Sequence, residues 1–102
     1  MAGLPPWTWD IPEYFNIGAA CTDTHLGTAI EARAAVICDD DVHGVRQTSF
    51  GELARNTSRF AQLLRDTGVD AGQRVLIRLP NCLEYSTVFL GALKRGAIPV
   101  PT

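Results

Sequence analysis

The sequence has few cysteines, a single lysine and no long hydrophobic run, and these absences remove several classes of protein. Its 102 residues include three cysteines, an odd number without close pairs, which does not indicate a disulfide framework. No apolar run approaches the roughly 20 residues that span a bilayer. The opening MAGLPPWTWD lacks the basic region and apolar core of a secretory signal. We therefore expect a cytoplasmic protein with reduced thiols and no membrane partner.

The charge pattern argues against a nucleic-acid partner. Nine Lys and Arg residues stand against 11 Asp and Glu residues, and the formal net charge is −2. Nucleic-acid binding needs a basic face, whereas the basic residues here are scattered along the chain. The length suits one domain, since domains commonly hold about 100–150 residues.

Residues 74–102 predict a strand, a helix and a second strand. The run 75–79 is almost wholly apolar, 82–95 has the length of a helix, and Gly96 is a typical helix stop. Residues 97–101 are predicted to be extended, because two prolines fix φ and bias their neighbours. Two strands joined by a helix indicate a parallel pair with a right-handed crossover.

Four further segments are predicted upstream of this βαβ unit. Residues 1–10 are expected to form an irregular arm whose two tryptophans cover apolar surface elsewhere, and 12–24 to form a helix. The runs 34–39 and 45–49 favour a β-hairpin. An amphipathic helix then follows and ends at Gly68.

Each predicted helix begins with the same local pattern, a capping residue followed three positions later by glutamate. The pairs are Asp10 and Glu13, Ser49 and Glu52, and Asn81 and Glu84. The helix after Asn81 is apolar around nearly its whole circumference, which is typical of a helix covered on several sides. We infer that the βαβ unit belongs inside a larger body.

The order of short segments resembles a known family. SFGELARN, AQLLRDTGVDAGQRVLIRLPNCLEY and FLGALKRGAIPVP are similar to the start of AMP-forming acyl-CoA synthetases, the adenylate-forming ligase superfamily. The segments DIPEYFNIGAA and AAVICDD also fit the start of this family. Within the family, the benzoate and medium-chain acid–CoA ligases have the sequences that these segments most resemble. The resemblance implies an α/β fold in which residues 11–102 are an incomplete N-terminal subdomain of a larger layered α/β domain.

The resemblance also implies a parent reaction that uses ATP, Mg²⁺ and CoA and passes through an acyl-adenylate. The family's Ser/Thr/Gly-rich loop ending in Pro-Lys-Gly and its catalytic lysine do not match any part of this chain. We therefore assign no catalytic, cofactor-binding or metal-binding residue, and expect no cofactor to bind this segment alone. Lys94 and Arg95 are interpreted as complements to a helix dipole. The family-like residues read as architectural are Pro80, Asn81, Glu84, Gly91, Gly96 and Pro99.

A zinc site is a weaker hypothesis. Cys21 and His25 are four residues apart, and Cys38 and His43 flank the predicted turn of the hairpin. The number and type of these ligands suit zinc, but their spacing matches no zinc module. Buried free cysteines are the simpler interpretation.

Three other local features have a functional and a simpler interpretation. Cys82 at a helix start suggests a reactive thiol, or a small apolar residue. Arg78 lies near the carboxyl end of a strand, where open sheets bind ligands, which suggests a phosphate contact. The simpler interpretation is that it pairs with a carboxylate or faces solvent at the end of the strand. The run 39–41 of aspartates suggests calcium, but the spaced ligands of an EF-hand are lacking, and a solvated turn is preferred.

Two functions compete, and a third and weaker one, a small redox or metal protein that uses the three cysteines, is disfavoured by the lack of any CxxC pair. In the first, the chain is the N-terminal fragment of an acid–CoA ligase for benzoate or a medium-chain fatty acid and is inactive alone. In the second, it is a stand-alone interaction or assembly module derived from such a ligase. A partner or a second copy, as in a homo-oligomer, would then cover its apolar surfaces.

Overall fold

The computed structural model describes residues 3–102, which form short helices and two small sheets. The elements in chain order are α1 (Ile17–Ala20), a 3₁₀ turn (Asp23–His25), β1 (Ala34–Asp40), β2 (Gly44–Ser49), α2 (Phe50–Asp66), β3 (Arg74–Ile77), α3 (Leu83–Arg95) and β4 (Ile98–Pro101).

Both sheets have the predicted topology. β1 and β2 pair in antiparallel register as a hairpin, with an irregularity near Ala34. β3 and β4 pair in parallel, with α3 between them in the chain. The helix α3 ends at Gly96, which adopts φ 82° in the left-handed region, as expected for a glycine that stops a helix. The α/β class with a hairpin, an amphipathic helix and a parallel βαβ unit is therefore confirmed.

The start of α2 confirms the predicted capping box. The Ser49 Oγ accepts a hydrogen bond from the Glu52 backbone N–H at 3.1 Å, and the Glu52 carboxylate accepts one from the Ser49 N–H at 3.1 Å. Each bond satisfies a backbone donor that the helix itself leaves unpaired.

The predicted helix over residues 12–24 is wrong. The structure contains only the four-residue α1 and the 3₁₀ turn, and the cap is Asn16. The Asn16 carboxamide accepts from the Ala19 N–H at 3.0 Å and donates to the Leu93 carbonyl at 2.9 Å. These contacts tie the segment to the end of α3, and this tertiary anchoring overrides the local signals at Asp10 and Pro12.

The predicted cap at Asn81 is also wrong. The N-cap of α3 is Cys82, whose side chain makes no capping hydrogen bond. The chain is extended through Cys82 (φ −147°, ψ 166°), so the helix begins one residue later than the Asn81–Glu84 spacing requires.

The core lies between α2, α3 and the inner face of the β3–β4 sheet. Leu64, Ala92 and Ala97 are buried and are surrounded by Phe60, Val69 and Val75. The helices approach closely at Gly91, where an added Cβ would lie 2.8 Å from the Phe60 ring and 3.0 Å from the Thr57 carbonyl.

The opposite face of the β3–β4 sheet is open. We call it the outer sheet face and define it by Arg74, Leu76 and Ile98. Leu76 is 68% exposed and Ile98 48% exposed, although a parallel sheet is normally covered on both faces. The prediction that the two tryptophans cover apolar surface is also wrong. Trp7 and Trp9 contact each other edge to face and remain exposed.

Candidate functional site

The β3–α3 turn is the candidate site, because ligands of open α/β sheets bind at the carboxyl ends of strands. Beside this turn lies a shallow, mainly apolar groove of about 410 Å³. Its lining residues are Asn81, Cys82, Tyr85, Ser86, Phe89 and Leu90.

Glu84 gives the start of α3 a negative charge. Its own backbone N–H is the main cause that holds the pKa of this carboxyl below its usual value, and the nearby Arg46 guanidinium lowers it further. Arg46 Nη1 lies 3.6 Å from the Glu84 carboxylate, and Arg46 Nη2 lies 3.7 Å from Asp40. The guanidinium thus joins the hairpin to the first turn of α3.

The tip of the hairpin is organised by Asp40. Its carboxylate accepts from the His43 N–H at 2.6 Å and the Val42 N–H at 2.9 Å. The His43 backbone bond is the main cause that lowers the pKa of Asp40. The aspartates at 39–41 therefore include one that closes the turn, as in the solvated-turn interpretation.

The residues at the β3–α3 turn do not fit the phosphates of a nucleoside triphosphate. Phosphate cradles use free backbone N–H groups and the positive end of a helix, whereas Pro80 has no N–H and Glu84 adds a negative charge to the first turn. We therefore derive no catalytic step at this position for ATP, Mg²⁺ or CoA.

The two histidines of the zinc hypothesis have other neighbours, and its two cysteines are free. The His25 ring packs edge to face on Phe50 with centroids 4.8 Å apart, and His43 Nδ1 lies 3.3 Å from Asp40. Cys21 is exposed and Cys38 half-buried. Within residues 3–102 no group of three or more His, Cys, Asp or Glu side chains is close enough to hold a metal ion.

The other two candidates, Cys82 and Arg78, lie at or next to the β3–α3 turn. Cys82 lines the apolar groove, and no histidine is among the lining residues. Arg78 is exposed just beyond β3. The Cys82 side chain forms a hydrogen bond with the Glu84 carboxylate, and Arg78 faces solvent.

Lys94 has a structural role that the sequence did not reveal. Its side chain is only 7% exposed, and Nζ donates to Asp23 at 2.8 Å, Ser58 Oγ at 2.9 Å and the Ala54 carbonyl at 3.1 Å. It therefore links the 3₁₀ turn, α2 and α3, in addition to placing a positive charge in the last turn. The available signal was that Lys94 is the single lysine of the sequence.

Arg95 has a similar linking role. Its Nε donates to the Val69 carbonyl at 2.8 Å, and its guanidinium lies 3.4 Å from the Asp70 carboxylate. The end of α3 is thereby fixed to the turn that precedes β3.

None of the helices within residues 3–102 combines the length and the apolar character that a membrane crossing demands.

The fold and sequence were compared with known proteins. The family model "AMP-binding enzyme" matches residues 27–102. An acetyl-coenzyme A synthetase of Nitrosomonas europaea is 32% identical over 97 residues, which are 95% of this chain and 15% of that protein.

Two solved structures share the fold. The acyl-CoA synthetase of Brucella canis has a TM-score of 0.75 and 29% identity, covering 83% of this chain and 15% of that one. The benzoate CoA ligase of Burkholderia xenovorans has a TM-score of 0.68 and 32% identity, covering 87% and 17%. The chain spans between 10 and 18% of the length of the curated relatives it matches. With most of its residues matched by the family model, this chain belongs to the AMP-binding enzyme family.

Proposed function

We propose that this chain is the N-terminal segment of an ATP-dependent, AMP-forming carboxylic acid–CoA ligase that acts on benzoate or a medium-chain fatty acid in the cytoplasm. The observation that carries the proposal is the family match over residues 27–102. The likeness to a benzoate CoA ligase over 87% of the chain supports the choice of acid.

The proposed reaction of the complete ligase has two steps. A carboxylate oxygen attacks the α-phosphorus of Mg²⁺-bound ATP, which forms acyl-AMP and breaks the bond to pyrophosphate. The CoA sulfur then attacks the acyl carbon, which releases AMP and a proton. Groups that stabilise the charge of such steps are cations and aimed N–H donors. Within residues 3–102 we assign none of these roles, so the segment alone is expected to be inactive.

The contribution of this segment is architectural in the proposal. α2 and α3 form a packed layer held by Gly91 and Lys94, and the inner face of the β3–β4 sheet lies on it. The outer sheet face is left free for further layers of the same α/β domain.

A chimera tests the architectural role. The matching part of the Burkholderia xenovorans benzoate CoA ligase is replaced by this chain, and benzoyl-CoA formation is measured. We expect activity within about a hundredfold of the parent, or about 2.7 kcal/mol in activation free energy, and none for the ligase that lacks the segment. A folded chimera as inactive as the deletion would contradict the proposal.

Two further assays address inactivity and substrate. The isolated chain, with ATP, Mg²⁺ and hydroxylamine, is expected to form no hydroxamate from benzoate or hexanoate. The product of the complete reading frame is then assayed with benzoate, hexanoate and acetate. Preference for acetate would place the protein with the acetyl-coenzyme A synthetases it also resembles, and would contradict the proposed acid.

A second candidate is a stand-alone interaction module. The exposure of the paired Trp7 and Trp9 and of Leu76 is the observation behind it, because large exposed apolar side chains are a feature of interfaces. Sedimentation distinguishes the two candidates. A stable oligomer at micromolar concentration supports the module, whereas a monomer supports the segment of a ligase.

A further inference from the structure

The two edges of the β3–β4 sheet differ in their ability to accept another strand. The Ile98 N–H donates to the Gln73 carbonyl at 2.8 Å, and the Thr102 N–H donates to the Ile77 carbonyl at 3.0 Å. Because backbone groups alternate along a strand, the even positions of β4 face β3. Pro99 and Pro101 therefore face the outer edge.

The outer edge of β4 is closed by these prolines. Neither Pro99 nor Pro101 has a backbone N–H, so this edge offers carbonyl acceptors and no donor between Ile98 and Thr102. Prolines on an edge strand are a known means of preventing further pairing.

The outer edge of β3 is open. The carbonyls of Gln73 and Ile77 point toward β4, so by the same alternation the N–H and C=O groups of Arg74 and Leu76 point away from it. Arg78 continues this series just past the strand. Within residues 3–102 β3 pairs with β4 and packs against α3, and no second strand lies along its other edge.

The side chains along the open edge of β3 determine which residues a pairing strand should carry. Arg74, Leu76 and Arg78 have the same parity, so they lie on the outer sheet face, and all three are exposed. Among the described residues neither arginine has an ion-pair partner. A strand beside them gains most from an apolar residue opposite Leu76 and carboxylates opposite the two arginines.

The same charges disfavour self-pairing of β3. An antiparallel pair of two copies centred on Leu76 places Arg74 opposite Arg78 of the second copy, and like charges directly opposite are destabilising. Pairing of β3 with β3 of a second chain is therefore disfavoured.

We propose that the sheet grows only at β3, by addition of an extended segment in which two carboxylates flank a central apolar residue at alternate positions. The open edge supplies the main-chain hydrogen bonds, and Arg74 and Arg78 select the segment by charge. The β4 edge remains unpaired. This inference does not depend on the proposed ligase activity, since strand addition requires no catalysis.

Hydrogen exchange followed by NMR tests the proposal with a tethered probe. The segment Glu-Thr-Val-Thr-Glu is fused after Thr102 through a flexible Gly-Ser linker, which raises its effective concentration. Without the probe, the Leu76 and Arg78 amides are expected to exchange fast while those of Ile77 and Val100 are slow. The probe is expected to slow Leu76 and Arg78 by about tenfold or more.

Matched variants assign the effect. The Lys-Thr-Val-Thr-Lys probe is expected to give no protection, and Arg74→Glu with Arg78→Glu to reverse the preference between the two probes. Leu76→Pro removes the N–H that points to the open edge, and the acidic probe is then expected to give no protection of the Arg78 amide. Leu76→Ala retains this N–H and is expected to retain the protection. Slow exchange at Ile77 and Val100 in each variant shows that the sheet is intact.

Three outcomes would overturn the proposal. The first is equal protection by the acidic and basic probes. The second is protection that survives Leu76→Pro in an intact sheet. The third is protection of Leu76 by the chain's own arm, around Trp7–Ile11, before any probe is added.

Discussion

The two faces of the β3–β4 sheet differ in how far their apolar side chains are buried. On the inner face Val75 packs against the core cluster that contains Ala92 of α3, and Ile77 is 2% exposed. On the outer face Leu76, between them in sequence, is 68% exposed. A strand with apolar residues on both faces is typical of a sheet covered on both sides. The difference indicates a layer that is complete on one side and uncovered on the other.

The largest change in unfolding free energy is expected for Lys94, whose hydrogen bonds join α3 to α2 and the 3₁₀ turn. Lys94→Met removes the ammonium group from Asp23 and Ser58 and is expected to lower the free energy of unfolding by about 2 kcal/mol. This is less than for a fully buried pair, because Asp23 is 43% exposed. Urea unfolding followed by circular dichroism measures it.

The matched control is Arg65→Met. The Arg65–Asp66 pair is exposed on both partners, so its loss is expected to cost less than about 0.5 kcal/mol. Equal costs for the two variants would show that Lys94 is not a buried link.

Gly91→Ala probes the closest approach of α2 and α3. The new methyl would lie 3.0 Å from the Thr57 carbonyl and the Phe60 Cβ, neither of which can move without shifting α2. We expect a loss of about 1–2 kcal/mol in unfolding free energy, measured by thermal unfolding.

Gly51→Ala is the control for Gly91→Ala. Its methyl would meet side-chain atoms and no backbone, with Glu31 Cγ at 2.9 Å and Glu31 Oε1 at 3.3 Å. The Glu31 side chain must shift, but alanine is favoured over glycine in a helix by about 1 kcal/mol, so a smaller loss than for Gly91→Ala is expected. If Gly91→Ala behaved in the same way, the helices would not be in close contact.

The hairpin predicts a small pH dependence. The pKa of Asp40 is lowered by the His43 N–H, so the carboxylate stabilises the fold above its unfolded pKa, and this stabilisation is lost as pH falls through the folded pKa. Asp40→Asn is expected to flatten this loss. Urea unfolding between pH 2 and 5, on either side of the ordinary pKa of about 3.9, measures it, and an identical profile in the variant would contradict the assignment.

The smallest effect is expected on the outer sheet face. Leu76→Ala is expected to change the unfolding free energy by less than about 0.5 kcal/mol, as for an exposed position. Val75→Ala, one residue away on the inner face, is expected to cost roughly 1 kcal/mol. A larger cost for Leu76 than for Val75 would reverse the assignment of the two faces.

The sequence predicted the elements whose signals are local. The Ser49–Glu52 capping box, the hairpin, Gly96 and the parallel pair are each encoded by neighbouring residues, and all are present. The predicted helix over residues 12–24 failed where a distant contact decides, whereas the Asn81 cap failed because the extended Cys82 is the N-cap of α3. Asn16 is anchored by α3 across 77 residues, and no local pattern at Asp10 reports that contact.

The candidate site was predictable only in part. The β3–α3 turn and the exposed Arg78 followed from strand and helix positions. The Arg46–Glu84 contact and the three bonds of Lys94 depend on the packing of separate elements, so neither could be derived from spacing.

The most direct test of the central claim, that the outer sheet face is covered within a larger ligase, is hydroxyl-radical footprinting of Leu76 and Ile98 read by mass spectrometry. Labelling is compared in the isolated chain and in the chimera with the Burkholderia xenovorans benzoate CoA ligase. We predict strong labelling of both residues in the isolated chain and protection of both in the chimera, with Leu64 protected throughout. Equal labelling of Leu76 in both proteins would contradict the claim.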